Sequence, residues 1–269
     1  MVGYMIDLKD TTFIIPIRIE SDDRLRNVIT VCCFLLDNFD CRVIIKEVDS
    51  QSIFSSTAFP QIKEYVEGSI DNLQHIFEES NAPLFHRQKV LNEMIDIVDT
   101  KVVVNYDCDV LLPVDSYIQS QKMIVDGKYD VVYPYGFGNW QKQIFADDEL
   151  VSEFLSNDCD YKILEKKCKE YDAQYGHVQF FDKDVYISGG MENENFRAYA
   201  PEDKERFYRF TTLGYNVGRI DNYLYHLEHS RGDNSWFTNP HMQVNINEWE
   251  KIQSMNKEQL EEYYSSQKY

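Results

Sequence analysis

The sequence predicts an α/β fold, a mainly parallel sheet flanked by helices. Short runs dense in β-branched and aromatic residues alternate, through the first half of the chain, with stretches whose apolar residues recur at helical spacing. Strand–helix–strand order of this kind joins parallel strands through helical crossovers. Of 269 residues, 43% are hydrophobic, enough for a sizeable core in one large domain or two small ones.

Thr12 to Ile19 reads as a buried strand, Leu25 to Leu36 as a helix, and Cys41 to Val48 as a second buried strand. Leu73 to Phe77 forms a short strand. In Gln88 to Val98, Val90, Leu91, Met94, Ile95 and Val98 share one helical face. Lys101 to Tyr106 and Tyr129 to Tyr133 are further strands. The second half changes character. Asp148 to Tyr175 is charged and reads as helical, with Ile163, Leu164 and Cys168 facing inward, and Gly176 to Arg231 mixes glycines, aromatics and carboxylates. From Asn247 the chain reads as a surface helix, with Asn256 and Gln259 spaced as a capping box.

Lys and Arg number 27 against 46 Asp and Glu, a formal charge of −19. Such a chain repels nucleic-acid phosphates and anionic lipid, so neither is expected as a general partner. The six cysteines include no CxxC pair and no zinc-site spacing, and are expected as reduced core thiols. Met1 to Asp10 has no signal-peptide core, and no run approaches the roughly 18 apolar residues that span a bilayer. A cytoplasmic protein is expected, with at most peripheral contact at the inner face of a membrane.

In a parallel α/β sheet, ligands bind at the carboxyl ends of the strands, so chemistry is sought there. Asp107-Cys108-Asp109 directly follows the strand ending at Tyr106; two carboxylates so spaced can share a hard divalent cation or sit solvated in a loop. His226-Leu227-Glu228-His229 puts both imidazoles on one face of a helix or tight turn, but on opposite faces of a strand. Glu202-Asp203 follows Pro201 at an expected helix start, where carboxylates suit the helix dipole as well as catalysis. Arg18, Arg87 and Lys89 stand at strand or helix ends, as phosphate binders or surface ion-pair partners. Tyr133, Tyr135 and Trp140 lie after a strand, as candidate ligand-stacking aromatics or as core or loop packing.

In chain order these pieces resemble the beta-1,4-galactosyltransferase family and its relatives among bacterial capsule glycosyltransferases. The family's Pro-Phe-Arg stands here as Pro16-Ile17-Arg18; its Phe-Asn-Arg as Phe85-His86-Arg87, followed by Val90-Leu91-Asn92; its Asp-Val-Asp as Asp107-Cys108-Asp109. Its Asn-Tyr-Trp-Gly-Trp-Gly-Gly-Glu-Asp block is matched without gaps by Asn195 to Asp203, and its Met-x-x-His-Ser-Arg by His226 to Arg231. The motifs cover roughly Thr12 to Asn234.

The resemblance implies the GT-A nucleotide-sugar fold. It implies a hexose, of galactose, N-acetylgalactosamine or glucose type, moved from a UDP-sugar to a carbohydrate or lipid-linked saccharide acceptor with inversion, as in surface polysaccharide or glycan synthesis. Arg18, Phe85, Arg87, Asp107, Cys108 and Tyr199 would line the nucleotide-sugar site. Asp109, His226 and His229 would bind Mn2+ or Mg2+, and Asp203, with Glu202 beside it, would be the catalytic base. Residues 1–240 would form the transferase domain, 1–135 binding the nucleotide sugar and 136–240 supplying the acceptor side, with a helical tail at 241–269. The chain departs from the family at Tyr199 for Trp, Ala200-Pro201 for Gly-Gly, and His226 for Met. A retaining transferase, or an inactive sugar- or nucleotide-binding protein on the same fold, are the alternatives.

Overall fold

The computed structural model describes residues 5–66 and 70–267. Strand β1 (Ile6–Ile17) is the first element of the described residues, and its last seven residues are all buried. Helix α1 (Asp22–Asn38) returns the chain to β2 (Phe39–Asp49). A π-helical turn at Phe54–Ala58 runs into α2 (Phe59–Tyr65), and β3 (Leu73–Glu79) completes the edge of the sheet. Helix α3 (Arg87–Ile95) leads into β4 (Val102–Tyr106), buried at every residue, and then into β5 (Val110–Leu111). The second half adds α4 (Val114–Val125), β6 (Val131–Tyr133), β7 (Gly138–Ile144), α5 (Asp148–Ser156), α6 (Tyr161–Leu164), β8 (Cys168–Ala173) and β9 (Val178–Asp182). It ends with α7 (Lys183–Ser188), α8 (Glu202–Leu213), β10 (Val217–Arg219), β11 (Leu224–Leu227), α9 (Met242–Gln253) and α10 (Lys257–Ser266).

Seven strands form the main sheet in the order β10-β6-β9-β4-β1-β2-β3, and β5-β11-β7-β8 form a second. Among the described residues, β9 is the only strand of the main sheet that runs antiparallel, against β4 and β6. The expected α/β architecture is therefore present. The order 3-2-1-4 reverses direction of growth between β1 and β4, which makes the ends of those two strands the switch point of the sheet. Arg18 follows one strand and Asp107 the other.

Two sequence expectations need correction. The stretch expected as helix to Tyr175 turns at Cys168 into β8, an antiparallel partner of β7. Of its six residues only Ala173 is buried, and Cys168 is half-buried, so no apolar alternation announces it. The tail is two helices starting at Met242 rather than one from Asn247. Ile252, Leu260 and Tyr264 pack it, together with Phe196, into a second apolar cluster. The capping box at Asn256 and Gln259 is present with both of its hydrogen bonds.

Candidate active site

Asp107 and Asp109 follow β4 in a turn stitched on both sides: the Asp107 N–H donates to the His177 carbonyl at 3.0 Å, and the Asp109 carbonyl accepts from Leu227 N–H at 2.8 Å. The second bond brings β11 alongside. A strand through residues 226–229 would send the two imidazoles to opposite faces. Strand β11 ends at Leu227 instead, and both rings reach Asp109, His226 Nε2 at 3.7 Å from Oδ1 and His229 Nε2 at 3.1 Å from Oδ2.

Each ring is oriented from behind. His226 Nδ1 lies 2.8 Å from the Glu228 carboxylate and His229 Nδ1 2.7 Å from the Ser230 carbonyl. This is how metal-binding histidines are fixed, with the outer nitrogen hydrogen-bonded and the other free for the ion. One ligand atom from each of Asp109, His226 and His229 lies within 4.8 Å of the others. The N2O donor set suits Mn2+ or Zn2+ better than Mg2+, which prefers oxygen alone. The residues therefore fit a divalent ion. Burial disfavours the Asp109 charge, but the two imidazoles outweigh it and hold the carboxyl well below its usual range. Glu228 is likewise pulled down to about 2, against its burial, by His226 and Arg231.

Helix α1 braces this corner. Asn27, fully buried, donates to the Leu227 carbonyl at 2.8 Å, and Asp23 accepts from the Ser230 backbone N–H and hydroxyl at 2.5 and 2.7 Å. Sequence reading missed Asp23, Asn27 and Glu228. Of these only Glu228, inside the His-x-x-His spacing, carried a local signal.

On the other side of the switch point, Arg87 donates to both Asn105 and Asp107 at 2.7 Å. Arg18 reaches the carbonyls of Val48 and Ala82, at 2.9 and 3.0 Å, and lies over the Phe85 ring. Arg18 thus stacks with Phe85 beyond the end of β1, and Arg87 pairs with Asp107 beyond the end of β4. Lys89 lies away from it, paired on its exposed helix face with Glu93. Cys108 packs half-buried against the core.

Helix α8 presents Glu202 and Asp203 at its first two positions, with Pro201 as the capping residue just before them. The two carboxyls differ. Asp203 Oδ1 pairs with Arg206 at 3.0 Å. Its Oδ2 abuts Gly176, where an added Cβ would stand 2.8 Å away. Glu202 is 9% exposed, and its Oε2 is buried without a hydrogen-bond partner. Burial, then the charge of Asp203, pushes the Glu202 carboxyl up to about 8, so it is mostly protonated at neutral pH. His177, between β8 and β9, is pushed the other way, to about 4, by burial and by His226.

Tyr199 lies just before this helix, its ring 5.4 Å from that of Phe237, which in turn meets Trp236 at 5.3 Å. Phe237 is 65% and Trp236 45% exposed. The aromatics singled out from sequence are placed otherwise. Tyr133 and Tyr135 are buried core residues, and Trp140 is half-buried against Tyr223.

No family model matches the chain, and no curated protein matches it. Among solved structures, it is similar to a mannosyltransferase, PcManGT from Pyrobaculum calidifontis, in complex with GDP-mannose and Mn2+, at 14% identity and a TM-score of 0.51. The match covers 83% of this chain and 58% of that one, so this chain spans less than two thirds of its length. The likeness identifies the fold as that of the GT-A glycosyltransferases. No helix among the described residues is long and apolar enough to cross a membrane.

Proposed function

We propose that the chain is a metal-dependent glycosyltransferase that moves a hexose from a UDP-sugar to a hydroxyl of a carbohydrate or lipid-linked saccharide acceptor, with inversion, in surface polysaccharide or glycan synthesis. One observation carries the reading: Asp109, His226 and His229 converge at the switch point of the sheet, with their nitrogens oriented from behind as metal ligands are. Its support in the sequence is the order of the motifs shared with the beta-1,4-galactosyltransferase family. Support also comes from the left-handed backbone at Ala198 and Ala200, where that family has glycines.

Asp109, His226 and His229 would hold Mn2+ or Mg2+, the imidazoles favouring Mn2+. Bound there, the ion would offset the negative charge of the departing diphosphate. Arg18 and Phe85, which lie against each other, would flank the nucleotide, and Asp107, held by Arg87 at the strand end, would orient ribose. Asp203 would take the proton from the acceptor hydroxyl, help worth about a hundredfold or more. Glu202, protonated at neutral pH, would donate a hydrogen bond to a sugar hydroxyl instead. The exposed rings of Trp236 and Phe237, with Tyr199, would pack on the apolar face of a sugar.

The test is nucleotide release from a panel of UDP- and GDP-sugars, with Mn2+ and with chelator; GDP-mannose belongs in the panel because PcManGT binds it. Chelator-sensitive release of UDP, and a product of inverted anomeric configuration, is expected. Release from GDP-sugars alone would correct the donor, a retained configuration would remove Asp203 as base, and no release from any donor would sink the reading.

A further inference from the structure

Helix α8 carries two fully buried arginines, each paired with a buried glutamate, and they end differently. Arg209 binds Glu205 and the Met191 carbonyl, and Glu205 also accepts from Tyr264 of α10. All of these partners are structural, and they clamp the tail. Arg206 grips Glu192 through two parallel bonds, 2.8 Å from Nε and 2.6 Å from a terminal nitrogen, and its other terminal nitrogen donates to Gln179 at 3.1 Å and to Asp203 at 3.0 Å. Arg206 and Glu192 are each 1% exposed.

Burying an ion pair seldom stabilises a fold more than well-packed apolar residues would. A pair kept at that cost invites a positional explanation, and its connections supply one. The Glu192 carboxylate also accepts from Tyr186 at 2.8 Å and from Asn105 at 3.3 Å. Asn105 in turn accepts from Arg87, which holds Asp107. One unbroken polar chain thus runs from Asp107 through Arg87, Asn105, Glu192 and Arg206 to Asp203. It joins the end of β4 to the start of α8.

We propose that Glu192 and Arg206 are a buried positioning pair, which fixes the Asp203 carboxylate against Gly176 and in register with the Arg87–Asp107 pair across the site. Neither residue touches the substrate; both act through Asp203, and the inference rests on the assignment of Asp203 as the base. Oδ1 is tied to the guanidinium, and Oδ2 lies in the space that a Cβ at position 176 would need, so the direction of the guanidinium sets how the carboxylate is turned. A base held this way meets the acceptor hydroxyl already aligned, and misplacement by about 1 Å can cost roughly a hundredfold in rate.

The experiment replaces the pair with apolar residues, Glu192→Leu together with Arg206→Met, in the full chain. Removing both charges leaves no buried ion unpaired, as either single substitution would. The crystal structure of the variant and steady-state transfer are both measured. Asp203 is expected to leave its place beside Gly176, and kcat to fall about ten- to a hundredfold with donor KM and nucleotide affinity within about twofold of the parent. Arg206→Lys is the second variant: it keeps the charge beside Glu192 but has no planar fork to serve both carboxylates, and the same split is expected. An unmoved Asp203 with normal kcat in either variant overturns the pair's role, as does a loss carried wholly by donor KM. A displaced Asp203 in a protein whose parent form transfers no sugar would leave the positioning intact and reject the base assignment instead.

Discussion

The two acidic corners of the site solve opposite problems. At the end of β4, Asp109 is buried beside two imidazoles that hold it ionised, and each imidazole is braced by an oxygen behind it. At the start of α8, Glu202 is just as buried but has an orphaned oxygen, and its proton stays on. The first arrangement has the donor atoms that a cation would need. The second keeps one carboxyl neutral beside another, Asp203, that is ion-paired. Burial alone therefore does not decide whether a carboxyl keeps its charge; what stands beside each oxygen does.

The largest effect is expected from breaking the first corner. Under the proposed function Asp109→Ala removes a metal ligand, and loss of an outer-shell partner alone typically costs ten- to a hundredfold in metal affinity, so a drop of at least about a hundredfold is expected. Calorimetry with Mn2+, then with UDP in its presence, measures it. Unchanged affinities would show that the cluster is an ordinary buried ion pair.

The second corner is tested by Asp203→Asn, which keeps shape and removes basicity. Transfer is expected to slow by about two orders of magnitude or more, with nucleotide affinity and melting temperature near the parent values. Loss of a mere helix-end charge would instead cost roughly 0.3–1 kcal/mol of stability and little activity. A variant that transfers at close to the parent rate would move the base elsewhere.

The contrast between corners was only half legible in the sequence. Asp107, Asp109 and the carboxyl end of β4 could be placed because β4 opens on three valines, closes on Asn105 and Tyr106, and is followed at once by carboxylates. The convergence of His226 and His229 could be stated only as one of two outcomes, since the spacing alone does not say where β11 ends. Arg206, three residues after Asp203 on a helix, was visible in principle as an i,i+3 pair. Glu192 was not: its partners Arg206, Asn105 and Tyr186 come from three different elements, and no local pattern marks a carboxylate that tertiary packing will bury. The mixed segment from Gly176 to Arg231 hid β9, β10 and β11 for the same reason. Those strands are only three to five residues long, too short for an alternating pattern to stand out.

A smaller effect separates the neutral carboxyl from the charged ones. The Glu202 carboxyl stands near 8 in the folded chain against a reference of 4.5. Between those values the folded state holds a proton that the unfolded state has released. Stability from this group is therefore full below about pH 4.5 and is lost as pH rises toward 8, by on the order of a few kcal/mol. Glu202→Gln removes the titration, so the variant is expected to flatten that slope and to exceed the parent in stability at pH 8. Urea unfolding at pH 5, 6.5 and 8 gives the comparison. Parallel slopes for parent and variant would mean that Glu202 is ionised in the folded chain and that both corners carry full charge.

The smallest effect tests whether loss of stability by itself can imitate loss of either corner. Asn256 caps α10, accepting from the Gln259 N–H at 3.0 Å while the Gln259 side chain accepts from the Asn256 N–H at 2.9 Å. Helix α10 meets α8 where Tyr264 donates to Glu205 and lies against Arg209, in the half of the helix beyond Glu202 and Asp203. Asn256→Ala is expected to cost about 1 kcal/mol of stability, the usual value of an N-cap, with kcat and donor KM unchanged. If it slowed transfer as much as it loosened the fold, rate losses in Asp203→Asn and in the Glu192–Arg206 variants could be read as general destabilisation. A destabilised variant with the parent's turnover would tie those losses to the position and charge of the α8 carboxylate alone.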